Sequence, residues 1–243
     1  MSKRLLIFIY GLIAYAIGMG GLVWFILFLG SWDFLPQHIN SQAPGHLPTA
    51  LAINGGLMLL FAIQHSVTAR PAFKKQLTKL IPPAAERSTY ILLSGAIMAM
   101  FCLYWQPVEG ELWRVEVQPW NTLLVSGYIA GWAIAVLATF QINHFELFGL
   151  QQVYYHVKKT AEPPARFTER LFYKVVRHPL QLGVLIGIWI TPLMTITHLL
   201  LALGMTLYIF IGLHYEEKDL TAQLGARYTD YQNRVRMILP FPK

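Results

Sequence analysis

Residues 5–30 read LLIFIYGLIAYAIGMGGLVWFILFLG, twenty-six consecutive positions without a charged side chain. At a helical rise of 1.5 Å per residue they reach about 39 Å, more than the roughly 30 Å hydrocarbon core of a bilayer. The apolar region of a signal peptide runs to only about 7–15 residues, so this stretch, after Met1-Ser2-Lys3-Arg4, reads as a retained first membrane span. Three more uncharged blocks of spanning length follow at 47–67, 88–106 and 119–140. A fifth, from Pro179 to Tyr215, is too long for one ordinary span, short for two, and interrupted by Pro192. It reads as a helical hairpin turning near Thr191–Pro192, with a first arm of only about 18 Å. The expected fold is an all-α integral membrane protein: four transmembrane helices plus a C-terminal hairpin, five to six spans in one domain covering 1–243.

The composition agrees. Of 243 residues 55 % are hydrophobic and 13 % charged, against roughly a quarter charged in soluble chains. Disordered, coiled-coil and ordinary soluble-enzyme classes are excluded. Cys102 is the sole cysteine, which excludes an intrachain disulfide and a cysteine zinc cluster. A lone thiol in an apolar run reads as a small core hydrophobe.

Charge sets the sidedness. Eighteen of the 19 Lys and Arg fall at the N-terminus, between spans two and three, after span four, or after the hairpin. Arg114 alone lies on the other side, among Glu109, Glu111 and Glu116. The positive-inside rule places both termini and both long basic segments in the cytoplasm. The net charge of +7 is therefore a topology signal, with anionic lipid headgroups as partners rather than nucleic acid.

Polar groups gather at the cytoplasmic ends of the spans: Gln64-His65-Ser66 with Arg70, Glu86-Arg87, Asn143-His144 with Glu146, Arg177-His178-Pro179, and His214-Tyr215-Glu216-Glu217. Ionisable groups at that depth are functional candidates. A metal cluster is not indicated, because the cytoplasmic histidines 65, 144, 156, 178 and 214 are never closer than twelve residues. Arg177-His178-Pro179-Leu180-Gln181-Leu182-Gly183 is the sharpest local signal. Proline suits the first helical position and forces His178 out of helical geometry. The segment then presents backbone amides, an imidazole and a guanidinium at the hairpin's mouth, opposite the returning Glu216-Glu217. That set suits a zwitterionic ligand with hydroxyls; the plainer reading is a snorkelling arginine in an interfacial salt bridge.

Arg177-His178-Pro179, followed by Glu216-Glu217-Lys218-Asp219-Leu220 and the tyrosine-rich Gly225–Tyr231, resembles the isoprenylcysteine carboxyl methyltransferase superfamily. Gln181 stands where that motif often carries tyrosine. Gln64–Pro71, Glu86–Tyr90 and Asn143–Leu150 look like its methanethiol S-methyltransferase and NnrU-like branch. The resemblance implies a multi-pass enzyme of the bacterial inner membrane, its active site facing the cytoplasm, that transfers methyl from S-adenosylmethionine to a small thiol. It implies a cofactor set of Arg177, His178, Pro179, Leu182, Glu216 and Glu217, within cytoplasmic segments 141–178 and 214–243.

Tyr173 and Tyr215 flank that set, positioned for adenine or sulfonium contact. On the thiol side the candidates are His65 as base, with Ser66, Arg70 and Arg87 around it; the alternative is that His65 and Arg70 cap span two and pair with Glu86. His144 is placed to orient that site or to close the cofactor pocket. Rival readings are methylation of a lipid or isoprenylcysteine carboxylate, and a non-enzymatic NnrU-like protein linked to denitrification.

Overall fold

The computed structural model describes residues 2–32, 34–41, 43–164 and 167–240; Asp33, Arg166 and Lys243, which enter the charge distribution, lie outside them. In chain order the helices are α1 (Lys3–Leu29), α2 (Leu47–Val67), α3 (Pro71–Leu77), α4 (Glu86–Tyr104), α5 (Trp120–Ile142), α6 (His144–Leu147), α7 (Leu150–Lys158), α8 (Pro179–Trp189), α9 (Ile196–Leu224) and α10 (Ala226–Arg234). Two short strands, β1 (Glu111–Arg114) and β2 (Leu193–Thr195), complete the fold. Among the described residues five helices are long and apolar enough to cross a membrane: α1, α2, α4 with its 3-10 lead-in, α5 and α9. The protein is an integral membrane protein. Two compact units emerge, one of residues 1–109 and 143–165, the other of 110–142 and 166–243.

In the first unit α1 lies along α4. Lipid gives helices no hydrophobic reason to associate, so close packing of small residues must hold them. Gly11, Ala14, Gly18 and Gly21 repeat at helical spacing on the buried face of α1. Gly21 meets the backbone of Gly95, and a methyl group on Gly95 would sit 2.9 Å from the Ile17 carbonyl oxygen. α2 is held to α4 by polar clamps. Asn54 donates to the Gln106 carbonyl at 2.8 Å and accepts from its amide at 2.7 Å. One turn from the other end, Gln64 Nε2 donates to the Tyr90 carbonyl and Oε1 accepts from Ser94 Oγ at 3.2 Å.

In the second unit α5 crosses α8 backbone to backbone. A methyl group on Gly131 would lie 2.6 Å from the Gly187 nitrogen and 2.9 Å from the Gly183 oxygen. The hairpin forms as the sequence suggests, short first arm included, with one difference in its second arm. Its first arm, α8, has 11 residues and reaches about 16 Å, too short to cross a bilayer. Its second arm, α9, runs on to Leu224, so Glu216 and Glu217 sit on a helix rather than after one. The all-α expectation also needs correction. β1 and β2 pair antiparallel, Trp113 opposite Met194, because the extended turn after Pro192 leaves backbone groups that must be bonded at that depth. Val115 donates to the Pro192 carbonyl at 2.8 Å, Ile196 to the Gly110 carbonyl at 2.9 Å, and Trp113 Nε1 to the Thr191 carbonyl at 3.0 Å. Fully buried His198 meets the Ile188 carbonyl, near the end of α8, at 2.8 Å.

Candidate active site

Arg177 and His178 precede α8 in non-helical geometry, Arg177 in a bend and His178 at φ −125° and ψ 66°, and Pro179 starts the helix. A returning tail holds them there. Val176 pairs in parallel with Arg236, Arg177 N donates to the Arg236 carbonyl at 2.8 Å, and His178 N donates to the Met237 carbonyl at 3.1 Å. The tail is anchored through α10, whose Tyr228 and Tyr231 pack with Val235 against Phe167, Leu220 and Leu224. Tyr231 Oη donates to the Tyr173 carbonyl.

Glu217 is the centre of this arrangement. Its Oε1 accepts from Arg177 Nε at 2.9 Å, from His178 Nε2 at 2.7 Å and from Tyr228 Oη at 2.6 Å. Its Oε2 accepts from Arg177 Nη2 at 2.6 Å and from Gln232 Nε2 at 2.8 Å. Arg177 Nη1 donates to the carbonyls of Val235 and Gln232. Burial alone works against the Arg177 charge, but the Glu217 hydrogen bonds and charge outweigh it and hold the guanidinium's pKa above its ordinary value. Burial, then the Glu217 carboxylate, hold the Tyr228 phenol well above its usual range, so it stays a donor.

Beside this network runs a groove of about 680 Å³. Arg177, Gln232, Asn233 and Arg236 form its polar edge; Phe210, Met237 and Ile238 are among its apolar lining. Leu182 packs on Ile209, Leu213 and Ile238 next to it. Pro179 and Tyr173 are buried, while Tyr215 and Glu216 are half exposed. The structure thus gathers Tyr173, Arg177, His178, Pro179, Leu182, Glu216 and Glu217 in one unit. Gln232 and the Val235 carbonyl belong to the same network and were not singled out from sequence. Tyr228 and Gln232, four apart on one face of α10, were the available signal.

The thiol-side candidates lie in the first unit. His65, on the last turn of α2, stacks on Phe61 with ring centroids 5.1 Å apart and lies 5.3 Å from the Tyr90 ring. Arg87 covers Tyr90 at 4.6 Å and donates from Nε to the Leu147 carbonyl at 2.7 Å. Ser66 follows His65 on the same turn, and Arg70 is exposed at the start of α3. Glu86 pairs with Lys74 at 3.6 Å. His144 belongs to this unit as well. It is buried, and its Nε2 lies 2.8 Å from Tyr15 Oη; burial lowers its pKa.

A multi-pass membrane fold with a buried Arg-His-Glu cluster beside a groove defines the class of protein. The chain belongs to the NnrU protein family, which matches residues 55–239. It is 42 % identical to methanethiol S-methyltransferase 2 of Bradyrhizobium diazoefficiens over 241 residues, covering 99 % of this chain and 92 % of that one. It is 39 % identical to methanethiol S-methyltransferase of Mycobacterium tuberculosis, covering 99 % and 98 %. More distantly, it is 32 % identical to nurim of Sus scrofa, covering 70 % and 68 %. No solved structure matches the chain significantly.

Proposed function

We propose that this protein methylates methanethiol with S-adenosylmethionine, giving dimethyl sulfide. The observation that carries the reading is the identity of about 40 %, over nearly the whole of both chains, to proteins named for that reaction. The site residues fit the cofactor. The groove is within the roughly 300–1,000 Å³ typical of ligand sites, with Asn233 and Arg236 on its edge for a carboxylate or a base. Glu216, half exposed near His178, is the carboxylate available for hydroxyls or an amine. When bound, the sulfonium supplies an electrophilic methyl carbon.

The protein's own work is then to orient that carbon and to provide a thiolate. A thiol is mostly protonated near neutrality, and the thiolate is the attacking form. His65 accepts the thiol proton, and the positive charge of Arg87 favours the anion that remains. Both termini and the Arg177 segment face the cytoplasm of the bacterial inner membrane, where the methyl donor is made.

Purified protein in detergent, given methanethiol and S-adenosylmethionine, is expected to release dimethyl sulfide into the headspace in proportion to enzyme. Headspace chromatography without that product, from protein that melts cooperatively, would end this reading.

A further inference from the structure

Glu216 and Glu217 are adjacent in sequence and opposite in surroundings. Glu217 is 13 % exposed, and its two oxygens accept from Arg177, His178, Tyr228 and Gln232. A carboxylate offers about four lone-pair positions, so Glu217 is filled. A ribose hydroxyl or an amine entering there would have to displace a charge-assisted bond and leave a buried donor unpaired. Glu216, a step of about 100° further round α9, is 48 % exposed. Its Oε1 lies 3.9 Å from His178 Nδ1, beyond hydrogen-bonding reach.

We propose that the two glutamates divide the work of the site: Glu216 is the carboxylate that meets the cofactor, and Glu217 is a positioning residue that holds Arg177 and the 232–237 tail as one wall of the groove. This rests on the S-adenosylmethionine reading above. The coupling runs through bonded atoms: Glu217 fixes the guanidinium, and the guanidinium fixes the Val235 and Gln232 carbonyls. Gln232, Asn233 and Arg236 thereby keep their places along the groove. Tyr228 is 1 % exposed, and its hydroxyl donates to Glu217 beside Arg177, so Tyr228→Phe removes one bond from the latch while keeping the ring's packing.

The test uses the full chain in detergent, with Glu216→Gln, Glu217→Gln and Tyr228→Phe. Kinetics with methanethiol, calorimetry with S-adenosylhomocysteine, ligand-free melting and tryptic cutting at Arg234 and Arg236 are measured. Tyr228→Phe is expected to raise KM for S-adenosylmethionine about three- to tenfold, with kcat per folded molecule nearly unchanged. Its ligand-free melting should fall and its tail should be cut faster, and Glu217→Gln should do the same more strongly. Glu216→Gln should weaken S-adenosylhomocysteine binding about tenfold or more while melting like the parent.

Parental KM in Tyr228→Phe, with only the folded fraction reduced, would overturn the positioning role. Lost binding in Glu217→Gln without any change in melting or tail cutting would make Glu217 a ligand and overturn the division. Parental binding in Glu216→Gln would overturn it from the other side. A parent protein that binds no S-adenosylhomocysteine would instead sink the cofactor reading and the Glu216 role with it, while tail cutting in Glu217→Gln still judges the latch.

Discussion

Tyr15 and His144, 129 positions apart, meet with 2.8 Å between the phenol oxygen and Nε2, and they tie the middle of α1 to the short helix after α5. Burial lowers the His144 pKa, so the folded protein keeps this ring neutral where an unfolded chain would charge it. The unfolded state therefore takes up the proton first. Stability from this group is full above its unfolded value of about 6.5 and declines as pH falls through it. Melting temperature is expected to drop between pH 7.5 and pH 5, and to drop less in His144→Phe, which keeps ring packing on Phe148. Equal pH slopes in the two proteins would refute this.

Glycine contacts make the second prediction. Gly183→Ala places a methyl group 2.5 Å from the Gly131 carbonyl oxygen, whereas nothing lies within 4 Å of a methyl on Gly55. The first substitution is expected to cost about 1–3 kcal/mol through forced separation of α5 and α8. Gly55→Ala should be neutral or slightly stabilising. Thermal unfolding in the same detergent compares them directly, and matching behaviour would mean that the α5–α8 crossing yields easily.

Removing the guanidinium strands the carboxylate it neutralises. Arg177→Ala leaves Glu217, 13 % exposed, without its bidentate partner, and removes the guanidinium that donates to the Val235 and Gln232 carbonyls. A loss of about 3–5 kcal/mol is expected, the usual cost of breaking a buried ion pair from one side. Arg177→Lys should recover part of it, since one ammonium cannot reach both carboxylate oxygens and the tail carbonyls. Denaturant titration measures both, and full stability in Arg177→Ala would show the pair to be ornamental.

If His65 takes the thiol proton, His65→Ala should lower kcat by roughly 10²–10⁴-fold and leave the melting temperature and KM for S-adenosylmethionine close to the parent's. Activity should recover partly at higher pH, where thiolate forms unaided. The ring also stacks on Phe61 and Tyr90, so a defect confined to melting would assign it to packing instead.

Sidedness is checked by labelling. Single cysteines in place of Ser2 and Asn233 are expected to be shielded from a membrane-impermeant thiol reagent in intact cells, and one in place of Glu116 to react. The reverse pattern would invert the topology.

Much of this fold could be read from the chain because spans are long uninterrupted apolar runs, and Pro192 marked the hairpin. The β1–β2 pair could not: Glu111–Arg114 has only four residues, and its partner lies some 80 positions later. In the site, Arg177, His178 and the glutamate pair were legible from type and spacing. The Val235 and Gln232 carbonyls were not, because a backbone acceptor carries no residue signature. The Tyr15 partner of His144 was not legible, because periodicity gives a residue's depth along a span but not which helices stand around it. The same ambiguity hid the unequal surroundings of Glu216 and Glu217, which differ by one step around a single helix.

The shortness of α8 has a consequence for how the protein is made. Eleven residues, about 16 Å of helix, are too few to be retained by a bilayer on their own. They must partition together with α9 as one unit, after the chain through Leu224 has left the ribosome. α10 and the tail that ties to Arg177 and His178 are translated later still. Closure of the Arg177 cluster therefore comes after the hairpin has been made, and a nascent chain arrested before residue 228 would carry the α8–α9 hairpin with an open, unwalled groove.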